Sequence, residues 1–100
     1  MKSLEDMTMQ ERSLMLYFET CAVDLSGRVD ARRMNDDDFA IARRWDKEGF
    51  IRFGRICSAN HNSQGQHWCE PSHEAWHLAH QERRLRAERS IRRYERTCDR

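Results

Sequence analysis

The last quarter of the chain most constrains how this sequence can fold. From His73 to about residue 97 there is neither a glycine nor a proline, and Pro71-Ser72 comes immediately before this stretch. Serine is a favoured residue at the position that caps a helix start, so the pattern predicts one long helix beginning after Ser72. Since the whole chain has 100 residues, residues 1–72 must supply the rest of a single small domain.

Two further helices are predicted upstream. Thr8-Met9-Gln10-Glu11 has the T-x-x-E pattern of a capping box, and apolar side chains then recur at helical spacing to about Ala22. Asn35 is a second capping residue, and its helix should end at Gly49, because glycine accepts the left-handed conformation that follows many helices. The side chains expected to share one core are Leu14, Phe18, Phe39, Trp45, Ile51 and Trp76.

The segments between the helices carry turn and strand signals. Ser26-Gly27 predicts a turn followed by an extended piece at Arg28 to Asp30, and residues 31–34 predict one short helical segment. Residues 50–70 alternate apolar and charged side chains around a loop rich in turn residues, which predicts a β-hairpin. The expected fold class is mainly α with a small β-hairpin and a long C-terminal helix. The expected divisions are a flexible tail (1–8), a domain (9–80) and an Arg-rich helical extension (81–100).

The order helix, short strand, short helix, helix, hairpin and long helix resembles the winged helix-turn-helix family over residues 9–80. The specific match is "DDDFAIARRWDKEGFIRFGRI". In it Phe39 and Trp45 resemble the apolar residues near the start and end of a recognition helix, and residues 48–51 resemble the exit into the first wing strand. The resemblance implies a winged-helix-like domain that binds nucleic acid, with residues 60–66 as the wing tip. The size and arrangement also resemble small phage or prophage proteins.

The distribution of charge along the chain differs from that of a winged helix that reads DNA. The recognition helix would begin at Asn35 with three successive carboxylates, which a phosphate backbone would repel. Residues 1–50 carry 8 basic and 11 acidic side chains, whereas residues 51–100 carry 10 arginines and 6 acidic side chains. We therefore expect nucleic acid to be engaged through later arginines. The arginines expected at this contact are Arg43, Arg44, Arg52, Arg55, Arg83, Arg84 and Arg86.

The acidic stretch Asp36–Asp38 supports an alternative function. These carboxylates could occupy a basic surface on a nucleic-acid-handling host protein, as a phage anti-host or anti-CRISPR inhibitor would. The Arg-rich end of the last helix leaves three alternatives open. It is solvated and held by i,i+4 pairs such as Glu82–Arg86, it joins two copies in a homodimer, or it contacts nucleic acid.

His73-Glu74-Ala75-Trp76-His77 has the H-E-x-x-H pattern of zinc metallopeptidases. Such enzymes need a third zinc ligand and an open coordination position, but only 23 residues follow His77, all predicted on the same helix. We therefore expect a non-enzymatic protein in which Glu74 only complements the positive end of the helix dipole.

A structural zinc site is the second chemical hypothesis for this region. If the hairpin loop were centred on Ser63, Cys57 and Cys69 would face each other across the two strands. His73 and His77 follow on the helix, and two cysteines with two histidines are a common zinc ligand set. The competing expectation, which we favour, is that no cofactor binds and the cysteines are free thiols.

The sequence predicts a cytoplasmic protein that does not engage membranes. The segment before residue 13 is acidic and lacks the apolar core of a signal peptide, and no apolar run reaches membrane-spanning length. The expected partner is nucleic acid or a protein that handles it.

Overall fold

The computed structural model describes residues 2–56 and 66–98, with side chains as far as residue 95. Within these ranges the fold is mainly helical, with a small antiparallel sheet and a long C-terminal helix, as predicted. The elements are α1 (Met9–Asp24), β1 (Arg28–Asp30), α2 (Asp36–Glu48), β2 (Ile51–Arg55), β3 (Gln66–Pro71) and α3 (His73–Cys98). Short 3₁₀ helices span Leu4–Asp6 and Ala31–Arg33.

Local hydrogen bonds fix the helix ends at the predicted residues. The Glu11 amide donates to the Thr8 hydroxyl at 3.1 Å, and the Thr8 amide donates to the Glu11 carboxylate at 3.0 Å, completing the capping box of α1. The Ala75 amide donates to the Ser72 hydroxyl at 3.1 Å at the start of α3. Gly49 has φ 75°, the left-handed conformation expected at the end of α2. The capping predictions are confirmed.

The predicted hairpin is confirmed, and a third strand joins it. The sheet order is β1-β3-β2, with both pairs antiparallel. The register pairs Phe53 with Cys69 and Arg55 with His67. The predicted loop centre at Ser63 is therefore wrong, because the residue opposite Cys69 is Phe53 and not Cys57. Cys57 itself lies outside the described residues, as do the expected wing-tip residues 60–65.

The core lies between the sheet and the helices, with Trp45 at its centre. Trp45 is 0% exposed, and its ring meets Phe18 at 6.4 Å and Phe50 at 5.3 Å between ring centroids, both near edge-to-face. Of the six expected core residues, Leu14, Phe18, Trp45 and Ile51 are buried. Phe39 packs against this core while remaining partly exposed.

Trp76 was wrongly expected in the core. The buried face of α3 is formed by Ala75, Leu78 and Ala79. Trp76 is only half-buried and lies beside His80, with 5.9 Å between the ring centroids. The two alanines let the helix approach the domain closely, and a tryptophan cannot occupy the same helical face one residue along.

The same buried face of α3 continues into a charged residue. Glu82 lies four residues after Leu78 and is 0% exposed. Its carboxylate accepts hydrogen bonds from Arg86 at 2.6 Å and from Arg12 of α1 at 3.4 Å. Arg89 approaches to 3.6 Å. The predicted Glu82–Arg86 pair therefore exists, but its carboxylate is buried rather than solvated, and the same carboxylate joins α3 to α1 through Arg12.

A second carboxylate on α1 completes the connection between these helices. Glu19 is buried and accepts from Arg83 of α3, with 2.6 Å between Arg83 Nε and the nearer carboxylate oxygen. Arg83 also donates to the Leu16 carbonyl at 3.1 Å. His80 approaches the other Glu19 oxygen at 3.4 Å. Each helix thus contributes a buried carboxylate that meets arginine from the other helix.

Two expected domain limits need correction. Residues 2–8, expected to form a flexible tail, pack against the domain: Met7 is buried, and the Lys2 amide donates to the Glu74 carboxylate at 2.8 Å. The domain does not end at residue 80 either, since α3 contacts α1 through Arg83 and Arg86. Beyond Arg89 every described side chain of α3, residues 90–95, is exposed. None of the described helices combines the length and apolar character needed to cross a bilayer.

Replacing Trp45 by alanine should lower the free energy of unfolding by about 3–5 kcal/mol, because a fully buried indole leaves a large cavity. Urea denaturation followed by circular dichroism measures the change. The control is Tyr94→Ala, because Tyr94 is 71% exposed and its loss should change stability by about 0.5 kcal/mol or less. Equal midpoints for the two variants would contradict the placement of Trp45.

Replacing Glu82 by glutamine should lower the free energy of unfolding by about 2–3 kcal/mol. The loss leaves the Arg12 and Arg86 guanidinium groups without their buried carboxylate, but both are partly exposed, so the effect stays below that of a fully buried pair. Glu88→Gln, an exposed carboxylate on the same helix, is the matched control. The idea fails if the two variants unfold at the same urea concentration.

Candidate nucleic-acid interface

The structure separates the seven candidate arginines into paired and unpaired groups. Three of them form close ion pairs: Arg44 with Glu11, Arg83 with Glu19, and Arg86 with Glu82. Arg52 is 3.8 Å from Asp46, at the outer limit of an ion pair. In the part of the chain that the structure describes, no carboxylate pairs with the remaining three. These are Arg43, Arg55 and Arg84.

Two of the unpaired arginines line one open groove of about 500 Å³. We call it the aromatic groove. Its lining residues are Phe39, Arg43, Phe53, Gly54, Arg55 and His67. Arg84 instead lines a separate groove with Lys2, Leu4, Arg12, Leu78 and Leu85 among others.

Regular backbone geometry brings the aromatic groove together. Phe39 and Arg43 are four residues apart on α2, so they lie on one face of the helix. Phe53 and Arg55 are two residues apart on β2, so they lie on one face of the sheet. The register then places His67 directly across from Arg55. The groove is therefore the end of the inner sheet face, bordered by the exposed edge of α2.

Aromatic rings form a column that runs from the core into the groove. Phe53 stacks on buried Phe18 with 5.5 Å between centroids and 28° between planes. His67 also stacks on Phe53, at 5.1 Å and 10°. Phe39 meets both Phe53 and His67 near edge-to-face, at 6.1 Å and 5.5 Å. The core thus holds the rings at the groove in fixed orientations.

Cations flank these rings. The Arg43 guanidinium lies 5.9 Å from the centre of the Phe39 ring, within range of a cation–π contact. Arg43 and Arg55 are both exposed, while the aromatic side chains are half-buried. Gly54 leaves room for the Trp68 ring, since a Cβ there would come within 2.7 Å of that ring. Flat rings with guanidinium groups at the rim suit a ligand that combines planar rings with anionic groups.

The acidic patch is smaller than expected. Asp38 belongs to the cap of α2, because its amide donates to the Asn35 side chain at 2.8 Å and its carboxylate accepts from the Asn35 amide at 3.1 Å. Its other carboxylate oxygen accepts from Gln10 at 3.1 Å. Asp36 and Asp37 remain exposed on the first turn. The patch available to a partner is therefore a pair of carboxylates.

The two histidines of H-E-x-x-H do share a helix face, with 3.1 Å between the Nε2 atoms of His73 and His77. However, Glu74 accepts a hydrogen bond from the Lys2 backbone. The described residues include no group of three or more side chains placed to hold a metal ion. Cys69, His73 and His77 are thus not brought together as the zinc hypothesis requires.

Cys69 belongs to the core. Its thiol is 5% exposed and lies 3.4 Å from the Phe18 carbonyl. Burial, with a smaller effect from nearby Cys21, raises the pKa of the Cys69 thiol from 9.0 to about 12. A thiol that stays protonated at neutral pH is a poor metal ligand and a poor nucleophile.

Sequence reasoning identified Arg43 and Arg55 but missed Phe53 and His67 as groove residues. The available signal was the pair of patterns F-x-x-x-R on a helix and F-x-R on a strand, which place a ring beside a cation in each element. The contribution of His67 depends on the strand register, which no local pattern fixes.

Comparisons with known proteins return nothing: the chain matches no protein-family model, no curated protein and no solved structure.

Cys21 and Cys69 should not react with a thiol reagent in the native protein. Both are buried, and burial raises the pKa of each thiol, so the reactive thiolate is depleted at pH 8. The measurement uses Cys57→Ser/Cys98→Ser and an aromatic disulfide reagent, with the urea-unfolded protein as the control in which both thiols react. Rapid labelling of the native variant would contradict the core position of Cys69.

Proposed function

We propose that this protein is a non-enzymatic nucleic-acid-binding regulator of the winged-helix type that contacts its target through the aromatic groove. The observation that carries the proposal is the presence of Arg43 and Arg55, both without an ion-pair partner in the described chain, at the rim of an aromatic surface. Neighbouring arginines are paired with carboxylates. A cation left unpaired can exchange its counterions for phosphate, which is the main source of affinity for nucleic acid.

The order of elements supports this proposal. In this proposal α2 would serve as the recognition helix, and β2 with β3 would serve as the wing. The exposed face of α2 carries Arg43, Arg44 and Lys47 in its second half. Asp36 and Asp37 lie at the opposite end, so the second half of the helix and the hairpin, rather than the helix start, would meet phosphates. Origin in a phage and a cytoplasmic site of action belong to the same proposal.

The proposal predicts that binding depends on the two groove arginines. The double variant Arg43→Ala/Arg55→Ala should bind labelled DNA at least about tenfold more weakly, and the slope of log Kd against log salt should fall by about two, one for each lost phosphate contact. Fluorescence anisotropy at several salt concentrations measures both quantities.

The matched control removes the same charge elsewhere. Arg28→Ala/Arg33→Ala deletes two exposed arginines outside the groove that, like Arg43 and Arg55, have no ion pair among the described residues, and its Kd and salt slope should stay near those of the unaltered protein. Equal weakening by both double variants would indicate diffuse charge attraction without a site at the groove. If neither duplex nor single-stranded DNA changes the anisotropy at low salt, nucleic-acid binding is rejected.

The second candidate is a protein-binding inhibitor that uses Asp36 and Asp37. The observation that favours it is that both carboxylates are exposed, and the described residues contain no ion pair to either of them. Such a patch suits a basic surface on a protein that handles nucleic acid. Capture of a host protein from nuclease-treated lysate, lost in Asp36→Asn/Asp37→Asn but retained in Arg43→Ala/Arg55→Ala, would favour this function over the first.

A further inference from the structure

The shape of the aromatic groove narrows the kind of nucleic acid that it fits. Its rings are recessed: Phe39, Phe53 and His67 are each half-buried, while Arg43 and Arg55 are exposed beside them. A base inside a duplex is stacked on both faces and presents only its edge. Rings at the bottom of a groove can stack only with a base that has left the helical stack.

Resting on the proposed function, we infer that the aromatic groove receives an unpaired nucleobase, so that the protein recognises single-stranded or locally opened nucleic acid in preference to intact duplex. The ring column provides the contact. Phe18, Phe53 and His67 are stacked in sequence from the core outward, with centroid spacings of 5.5 Å and 5.1 Å. A base stacked beside His67 would meet the Phe39 ring near edge-on, because the planes of Phe39 and His67 differ by 62°.

Size and charge agree with this ligand. The groove volume of about 500 Å³ lies within the range that holds small planar ligands. Guanidinium groups on both elements that border the groove, Arg43 on α2 and Arg55 on β2, can meet the phosphates on either side of an inserted base. Since stacking surfaces accept any base, the preference should be for strandedness more than for sequence.

The start of α2 argues against the alternative of a duplex read through its major groove. A recognition helix reads duplex DNA with the residues of its first turns. Here Asp36 and Asp37 are exposed at that position, where they would face phosphates on both walls of the groove. Arg43 follows Asp36 by seven residues, about 10 Å along the helix axis, so a single strand that passes between Arg43 and Arg55 would cross the second half of α2.

The test compares three labelled probes of equal length: an oligothymidylate, the same backbone with abasic sites in place of the bases, and a duplex. The abasic probe keeps the phosphates and removes only the rings. We expect the oligothymidylate to bind at least about tenfold more tightly than the abasic strand, as the loss of base–aromatic stacking implies. The duplex should also bind at least tenfold more weakly than the oligothymidylate.

A variant locates the base contact. Phe39→Leu keeps an apolar side chain against the core but removes a flat ring, so it should weaken oligothymidylate binding by a clearly larger factor than it weakens abasic binding. Tyr94→Leu, which removes an exposed ring from the far end of α3, is the control and should alter neither. Thermal melting of each variant checks that the fold is retained, and the abasic comparison on the unaltered protein requires no variant at all.

The outcomes separate this inference from the broader proposal. Equal affinity for the three probes, or tighter binding of the duplex, would overturn the unpaired-base inference while leaving nucleic-acid binding in place. Binding of no probe at low salt would reject both. Tighter binding of the base-bearing single strand that is lost in Phe39→Leu supports both.

Discussion

Two buried carboxylates, Glu19 on α1 and Glu82 on α3, hold the longest helix of the protein against the rest of the domain. Each accepts hydrogen bonds from arginine on the other helix, and Glu82 is completely shielded from solvent. Burying a charge is costly unless it is paired, so these contacts tolerate little misplacement of the two helices. They therefore specify where α3 lies along α1, and they explain why an Arg-rich helix can also be a structural helix.

These ion pairs change how the arginines in the second half of the chain should be interpreted. Composition alone makes the second half of the chain basic, which invites the view that its arginines form one nucleic-acid surface. Several of them neutralise carboxylates within the domain, whereas others, such as Arg55 and Arg84, have no ion-pair partner among the described residues. Arg43 and Arg55 are candidates for ligand contact because of their position, since they border rings that pack against the core.

Sequence patterns predicted the features that depend on residues close together in the chain, and they failed for features that depend on residues far apart. The caps at Thr8, Ser72 and Gly49 depend on residues within four positions, and each was predicted. The register of β3 pairs Phe53 with Cys69, which are far apart in sequence, so an assumed loop symmetry wrongly placed Cys57 opposite Cys69.

The side of α3 that faces the core was also predicted incorrectly. Ala75, Leu78, Ala79 and Glu82 recur at helical spacing, and the presence of glutamate in that series was a readable sign of a buried ion pair. Trp76 was favoured for the core because of its size, although it falls outside this series. The partners of Glu19 and Glu82 on the opposite helix involve long-range contacts that no local pattern reveals.

The ring of Phe53 belongs both to the core and to the aromatic groove, because it stacks against Phe18 and against His67. A substitution of Phe53 would lower the free energy of unfolding as well as alter the groove, so the stability of the fold limits which residues position 53 can hold. Arg43 and Arg55 lie at the exposed rim of the groove, and Arg43 contacts the Phe39 ring there. Replacing these two side chains would therefore change the charge of the groove with little effect on the free energy of unfolding.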